Sequence, residues 1–472
     1  MASAAEQLAA NLNFGAFAKA EELKKRIWFT LAALLVYRVG TYIPLPGIDP
    51  LAYQATFSQN AGGLLGQLNL FSGGAVERMA IFALNIMPYI SASIIMQLMT
   101  SVNKKLEQLK KEGEAGRKQI NQYTRYLTVA LAAAQAYGVA VILEGSQNSI
   151  DGRVVNVVVD PGWFFRASTV ITLVGGTMFL MWLGEQITAR GVGNGISLII
   201  FAGIVAGMPG AIYQILESSR SGNLNFGWVI ALAVMALAVT AFIVFIERAQ
   251  RRLLIQYPKR QTGNRVTQGE SSHLPLKLNS AGVIPPIFAS SLLLLPVTAG
   301  QVFAQSGIGW LEAMNAALGR GQPLYLITFA ALIIFFAFFY TALVFNPQET
   351  ADNLRKYGGF IPGIRPGAKT AEHIDYVLTR ITTVGAIYLA LVCLLPEFLT
   401  GYAGIPFYFG GTSLLIAVSV TMDTVAQVQS HLLAHQYEGL IKKSNLRGGA
   451  RGATKPAKAR GMSRVGGSKK GR

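Results

Sequence analysis

The stretch that decides the fold is MAIFALNIMPYISASIIMQLM, residues 79–99. It is long enough to cross a bilayer, which takes about 20 predominantly apolar residues. Pro88 in its middle removes a backbone donor and crowds the preceding helical turn, so we expect a kink there. Interrupted backbone inside a membrane is tolerated only beside other protein or a water-filled cavity. The stretch therefore predicts a membrane helix that lines an internal pathway.

A second interrupted segment, AGVIPPIFASSLLLLP, occupies residues 281–296. In both segments a proline is followed by an isoleucine or an aromatic residue and then by small polar residues, with Pro286 aligned to Pro88. Two interrupted spans at corresponding places in two halves of a chain are typical of a central pathway between internal repeats.

The composition fits a membrane protein better than a large soluble enzyme. The 472 residues are 52% hydrophobic and only 14% charged, and long apolar runs alternate with short clusters of lysine and arginine. We predict ten membrane spans: 27–43, 79–99, 126–143, 163–183, 192–214, 227–246, 281–304, 323–345, 376–400 and 408–432.

The basic residues predict the orientation of the spans. If the N-terminus lies in the cytoplasm, all but six of the 41 lysines and arginines fall in cytoplasmic segments. The six exceptions are Arg38, Arg78, Arg153, Arg166, Arg220 and Arg320. Because cytoplasmic loops of membrane proteins carry an excess of basic residues, we expect both termini to be cytoplasmic. The net charge of +18 partly reflects this rule.

The residues expected along the pathway are aliphatic. A route for ions or small solutes would be marked by carboxylates, basic residues or amide clusters near the middle of the membrane. The central positions offer isoleucines instead: Ile86, Ile90, Ile196, Ile200, Ile287 and Ile416. Such side chains cannot coordinate an ion, and they resist wetting, which suits a seal. Isoleucines also simply fill membrane helices, and composition alone favours that interpretation.

A short apolar segment lies between the first two spans, at residues 62–74. Its apolar residues share one helical face and are bracketed by glycine pairs: Leu64, Leu65, Leu68 and Phe71 between Gly62–Gly63 and Gly73–Gly74. Glycines give the backbone freedom at both ends, so this segment could swing as a unit. A fixed re-entrant or interfacial hairpin fits equally well.

Five strings closely resemble the SecY/Sec61-alpha family of protein-conducting channels. They are IFALNIMPYISASIIMQL, RGVGNGISLIIFAGIVAG, LKLNSAGVIPPIFASS, GGFIPGIRPG and FYFGGTSLLIAV, and the resemblance runs from about residue 15 to 447. It implies an all-α protein of the bacterial inner membrane with ten helices in two inverted halves around a pore. The implied function is that of the pore-forming subunit, which passes unfolded preproteins and releases apolar helices sideways into lipid, without enzymatic activity or a cofactor.

The resemblance also implies a division of the chain and roles for its residues. The divisions are an N-terminal segment 1–26, halves 27–214 and 215–434, loops 247–279 and 346–375, and a basic tail 435–472. The resemblance assigns the six isoleucines to a constriction ring. It assigns residues 62–74 to a plug that includes Gly63, Leu64, Leu65, Leu68 and Phe71. Spans 2 and 3 facing spans 7 and 8 become a lateral gate with Ser91, Gln97, Gln135, Asn279 and Leu295.

The two long basic loops are predicted to be docking surfaces. The first carries Arg251, Arg252, Lys259 and Arg260, with Tyr257 and Pro258 expected to interrupt any continuation of the sixth helix. In the second, GGFIPGIRPG stiffens a turn around Arg365. The topology rule explains basic loops but not their length and rigidity. The expected partners are the ribosome through RNA phosphate, a SecA motor, small SecE-like and SecG-like subunits, signal sequences, nascent chains and anionic lipids.

Other functional signals in the sequence are weak. The string GVGNG at 191–195 lacks the context of a dinucleotide site, and no GxxxxGK[ST] string occurs. His431 and His435 have helical metal-ligand spacing but no accompanying glutamate, and the single cysteine, Cys393, sits in an apolar run. The alternative from another class is a secondary transporter, which would share the inverted repeats but needs an intramembrane coupling carboxylate.

Overall fold

The computed structural model describes residues 21–60, 69, 72–145, 147–150, 153–221, 225–258, 260–262, 265–267, 271–303, 322–403 and 411–451. The chain forms two compact units. The larger is Arg26–Val425, and the smaller combines Met1–Lys25 with Ala426–Arg472. The described parts of the smaller unit are helical.

Thirteen helices occupy the described parts of the chain. They are α1 (Glu21–Gly40), α2 (Pro50–Asn60), α3 (Met87–Val102), α4 (Lys104–Lys111), α5 (Glu114–Gly145), α6 (Trp163–Arg190), α7 (Gly195–Arg220), α8 (Phe226–Arg248), α9 (Ile284–Phe303), α10 (Pro323–Val344), α11 (Pro347–Lys356), α12 (Ala368–Ala403) and α13 (Gly411–Arg451). Each of the ten predicted spans overlaps one of them. Within the described ranges, seven helices are long and apolar enough to cross a membrane, and α3 and α9 are shorter apolar helices. The prediction of a helical membrane protein is confirmed.

The second span begins later than its hydropathy indicates. Helix α3 has 16 residues, about 24 Å at 1.5 Å per residue, which is less than a bilayer core of about 30 Å. Pro88 lies in its first turn, where a missing backbone donor costs nothing, so the predicted kink inside a span was wrong. The preceding residues 75–86 form turns, in which Met79 and Asn85 adopt positive φ angles of 43° and 49°.

Backbone hydrogen bonds to residues 43–45 hold these turns in place. The Leu45 N–H donates to the Met79 carbonyl at 2.9 Å, and the Ile81 N–H donates to the Ile43 carbonyl at 3.0 Å. Gly176 of α6 makes room for them, since a Cβ atom there would lie 2.2 Å from the Ile81 carbonyl oxygen. Irregular backbone is therefore enclosed by protein, as a membrane requires.

The seventh span repeats this arrangement. Helix α9 begins at Ile284, so Pro285 and Pro286 also lie in a first turn. The two proline segments that looked like interrupted spans are thus two helices that each begin at a proline. They pack against each other.

Three short antiparallel pairs of strands lie in the connections. They are β1 (Gln147–Ile150) with β2 (Arg153–Asn156), β3 (Gln250–Gln256) with β6 (Ser271–Lys277), and β4 (Arg260–Thr262) with β5 (Arg265–Thr267). Strand β3 begins two residues after α8 ends at Arg248. The sixth helix therefore ends well before Tyr257 and Pro258, close to its predicted end at residue 246, and these two residues follow strand β3 instead.

The buried apolar residues form three clusters. The central cluster joins most of the long helices and includes Ile86, Ile199, Ile243, Leu389 and Leu415. A second cluster packs α2 against residues 76–83 and the helices α5 and α6. A third, the loop cluster, packs β3 and β6 against the start of α12. The central cluster contains the candidate site.

Candidate functional site

A small cavity lies where α3, α7 and α9 meet. It is lined by Asn85, Ile86, Met87, Ile90, Ile200, Ile287 and Ser290. Four of the six predicted ring isoleucines therefore line one space. Its volume is about 10 Å³, at the lower limit for one water molecule.

The other two predicted ring residues lie in the same central cluster but do not line this cavity. Ile416 on α13 is 1% exposed. Ile196 is half-buried in the first turn of α7 and faces Gly184 of α6, where a Cβ atom would lie 3.1 Å from the Ile196 Cγ1 atom. The six isoleucines thus belong to one apolar cluster.

The cavity lining carries no ionisable side chain. Its polar members are Asn85 and Ser290, and the Ser290 hydroxyl donates to the Ile287 carbonyl at 2.9 Å. A lining of this kind offers no site that could replace the hydration shell of an ion, and its aliphatic surface resists wetting. The arrangement can act as a constriction that excludes water.

The contact between α3 and α9 is weakly polar. The Ser291 hydroxyl of α9 lies 3.9 Å from the Met87 sulfur of α3. Helix α5 also packs against α9. Spans 2 and 3 therefore contact span 7 directly in this structure, as the predicted gate requires of its closed form.

The hydrogen bonds described for the predicted gate residues do not join these residues to one another. Gln97 donates to the Ser93 hydroxyl at 3.4 Å within α3, and its buried Oε1 atom has no hydrogen-bond partner among the described residues. Asn279, just before α9, instead donates to the Glu247 carboxylate of α8 at 2.6 Å. Ser91 is buried on α3. Gln135 is half-buried on α5, while Leu295 lies on α9 with a side chain outside the described part.

Most of the predicted plug lies outside the described residues, including Gly63, Leu64, Leu65, Leu68 and Phe71. Its end is described at Asn69 and at residues 72–74. The Asn69 side chain exchanges two hydrogen bonds with Glu77, accepting from its backbone N–H at 2.9 Å and donating to its carboxylate at 3.2 Å. The Gly74 N–H donates to the Asn69 carbonyl at 3.0 Å. A tight turn therefore joins this segment to residues 75–86.

The two basic loops form one folded body. Strand β3 and the residues before Arg365 exchange a pair of backbone bonds, since Gln256 and Phe360 each donate to the other's carbonyl at 2.9 and 3.0 Å. Gly359 permits this approach, because a Cβ atom there would lie 3.0 Å from the Tyr257 ring. Ile361 completes the loop cluster beside Leu253 and Leu276, among others. This packing explains the rigidity that the string GGFIPGIRPG predicts.

Three predicted docking residues are exposed on this body. Arg251 and Arg252 lie on β3, and Arg365 lies in a turn whose carbonyl accepts the Thr370 hydroxyl at 2.9 Å. Lys259 lies outside the described residues, and Arg260 is on β4 with its side chain outside them.

Arg355 is a further basic residue of this body that the sequence patterns do not single out. The structure brings its guanidinium beside Gly367, 3.9 Å from where a Cβ atom of Gly367 would lie. This position follows from the turn between α11 and α12. A basic residue in the last turn of a short helix was the only signal in the sequence.

Together the fold and the site define a class: a multi-pass helical membrane channel with an isoleucine-lined cavity between its helices. The SecY family model matches residues 80–425. The protein translocase subunit SecY of Pseudomonas aeruginosa is 58% identical over 428 residues, which are 90% of this chain and 95% of that protein.

Two solved structures share the fold. One is a SecY channel whose plug domain is described as stabilising the closed state of the translocation channel and maintaining a membrane seal. Its TM-score is 0.64 at 18% identity, covering 86% of this chain and 92% of that one. The other, Sec61 in the canine ribosome-channel complex from the endoplasmic reticulum, has a TM-score of 0.57 at 17% identity and the same coverage.

The chain belongs to the SecY family. It therefore has the fold of two inverted halves around a pore, and it is a channel subunit of a protein translocase, not an enzyme.

Proposed function

We propose that this chain is the central pore-forming subunit of a bacterial inner-membrane translocase and conducts unfolded preproteins between its halves, residues 27–214 and 215–434. The observation that carries the proposal is the isoleucine-lined cavity between α3, α7 and α9. A translocase must admit many different side chains while retaining ions at rest. Aliphatic side chains suit this task, since they bind no solute and can yield around a passing chain.

The constriction in this proposal consists of Ile86, Ile90, Ile196, Ile200, Ile287 and Ile416. Membership of all six in or against one apolar cluster supports it. The plug, residues 62–74, would cover one end of the constriction, and the tight turn at residues 72–74 would be its junction with the body.

The lateral gate would open between α3 with α5 on one side and α9 with α10 on the other. Its closed interface includes the weak contact between Met87 and Ser291, which costs little to break. The buried, unpartnered Oε1 atom of Gln97 gains hydration when the helices separate. Both features favour an interface that can part to release an apolar helix or admit a signal sequence.

Both termini and the two basic loops would face the cytoplasm, as the distribution of basic residues indicates. Arg251, Arg252 and Arg365 would then present exposed guanidinium groups to a SecA-like motor or to ribosomal RNA, with Lys259 and Arg260 beside them. The ribosome-bound state of the canine neighbour supports the second partner.

Small SecE-like and SecG-like subunits would cover lipid-facing helices of the bundle. Helix α8 supports such a covering subunit, because only 11% of its most apolar 18-residue stretch is buried, compared with 61% in α12. The basic tail, residues 435–472, would contact anionic lipid headgroups or RNA phosphate.

The test is reconstitution of the purified chain with its small subunits in vesicles. Motor ATPase, ATP and a preprotein are added, and protection of the preprotein from external protease is measured. The proposal expects ATP-dependent protection and no uptake of small solutes. Solute-dependent flux without preprotein, and no protected preprotein, would favour the secondary transporter instead.

A further inference from the structure

Two neighbouring side chains of α1 hold the turn at residues 72–74. The Tyr37 hydroxyl donates to the Ser72 carbonyl at 3.1 Å, and the Arg38 guanidinium donates to the Gly73 carbonyl at 2.5 Å. Consecutive donors thus bind consecutive carbonyls, which fixes both the position and the orientation of the turn against α1.

The other side of the turn packs against α7. Gly73 has a φ angle of 66°, and a Cβ atom there would lie 3.0 Å from the Gly203 Cα atom and 3.3 Å from its carbonyl oxygen. Gly203 is three residues beyond Ile200, which is about one helical turn from the cavity lining. The turn is therefore clamped between α1 and α7 close to the constriction.

The two donors are themselves held in place. The Tyr37 ring stacks on Phe82 with centroids 6.2 Å apart, and Phe82 stacks on Phe179 of α6 at 5.9 Å. The Arg38 guanidinium also donates to the Tyr42 hydroxyl at 2.9 Å. Stacked rings and a second hydrogen bond lower the entropy cost of presenting each donor.

An arginine within a membrane span is costly, and such residues are usually functional. Arg38 is the basic residue that the sequence places inside the first predicted span, and its role was not predicted. Its bond to the Gly73 carbonyl gives the charge a partner at the point where residues 62–74 join the body of the channel.

We propose that Tyr37 and Arg38 are a positioning pair that anchors the turn at residues 72–74 to α1 and thereby favours the sealed state of the pore. The inference rests on the proposed channel function. When the channel opens to admit a polypeptide, the turn at residues 72–74 is expected to move away from α1 and α7. Bonds made only in the sealed state then set the equilibrium between sealed and open channels.

The test is the resting ion conductance of the reconstituted complex in planar bilayers. Tyr37→Phe keeps the ring and its stack on Phe82 and removes only the hydroxyl donor. Loss of one buried hydrogen bond corresponds to an open fraction raised about fivefold to tenfold. The same variant should translocate a preprotein with a weakened signal sequence more readily than wild type does.

Tyr53→Phe is the matched control. Tyr53 is also a buried tyrosine whose hydroxyl donates to a backbone carbonyl, that of Val76 at 2.8 Å, beyond the anchored turn. It should lower thermal stability about as much as Tyr37→Phe while leaving the conductance at the wild-type value. Equal leakage from both variants would make the Tyr37 bond merely structural and overturn the proposal.

Arg38 supplies a second, independent variant. Arg38→Gln should leak more than Arg38→Lys, because lysine keeps the positive charge whereas glutamine offers only neutral N–H donors. Unchanged conductance in assembled Tyr37→Phe and Arg38→Gln complexes would overturn the proposal. The double variant Ile86→Asn, Ile287→Asn distinguishes the anchoring proposal from the proposed seal. If the double variant leaks while Tyr37→Phe does not, the anchoring proposal is wrong and the seal stands.

Discussion

Replacing Ile86 and Ile287 by asparagine tests whether the cavity between α3 and α9 is the seal of the channel. Ile86 is 0% exposed and Ile287 is partly buried, and both line the cavity. Fully burying an isoleucine contributes about 1.5–3 kcal/mol, and we count about half of that for Ile287. The sealed state should therefore lose about 3 kcal/mol relative to a hydrated pore, which raises the open fraction roughly a hundredfold.

Two further effects act in the same direction. An amide without partners costs about 1–3 kcal/mol when buried. Asparagine is also smaller than isoleucine, so the 10 Å³ cavity grows past the limit for a bound water. A wetted constriction no longer excludes ions.

The assay is the conductance of the purified complex in planar bilayers without preprotein, together with export of a substrate whose signal sequence is weakened. Ile243→Asn serves as a control, because Ile243 on α8 is 0% exposed in the same cluster but does not line the cavity. We expect it to reduce the thermal stability of the complex without a leak. Wild-type conductance in an intact double variant, or an equal leak in the control, would refute the reasoning.

Two further predictions concern docking and the gate. Arg365→Glu should leave assembly and resting conductance intact while strongly reducing motor-driven translocation, and Arg365→Lys should be milder. Lys369→Glu, a nearby exposed change in the first turn of α12, should have little effect on transport. Full transport in the Arg365 glutamate variant would remove the docking role. In a Cys393→Ser background, cysteines at Met87 and Ser291 should join under a short bismaleimide and block translocation, whereas either cysteine alone should not. Normal transport through a crosslinked channel would place the exit elsewhere.

The sequence by itself determined that this is a helical membrane protein, because hydropathy is a local property that about 20 residues express together. The ten predicted spans all overlap helices, although the start of the second was placed eight residues too early. Hydropathy cannot distinguish apolar residues in a helix from apolar residues in buried turns. Apart from Asn85, residues 79–86 are apolar, and this composition fits a membrane helix as well as buried turns.

Whether Pro88 bends a helix or begins one depended on contacts with residues distant in the sequence. Residues 75–86 form turns because the Leu45 N–H donates a hydrogen bond to them, the Ile43 carbonyl accepts one from them, and the space beside Gly176 accommodates their backbone. Pro88 then falls at a helix start, where proline is favoured. A proline in an apolar run marks an interruption, but only its neighbours in space decide whether the helix bends or begins there.

The candidate site was likewise determined partly by the sequence and partly by the tertiary structure. Isoleucines at the proline motifs were recognisable in the sequence, yet only the packing of α3, α7 and α9 decided that Ile86, Ile90, Ile200 and Ile287 share one cavity. The hydrogen bonds of Tyr37 and Arg38 join residues 35 positions apart. Local patterns fix which segments become helices, whereas pairings across such separations depend on how the whole bundle closes.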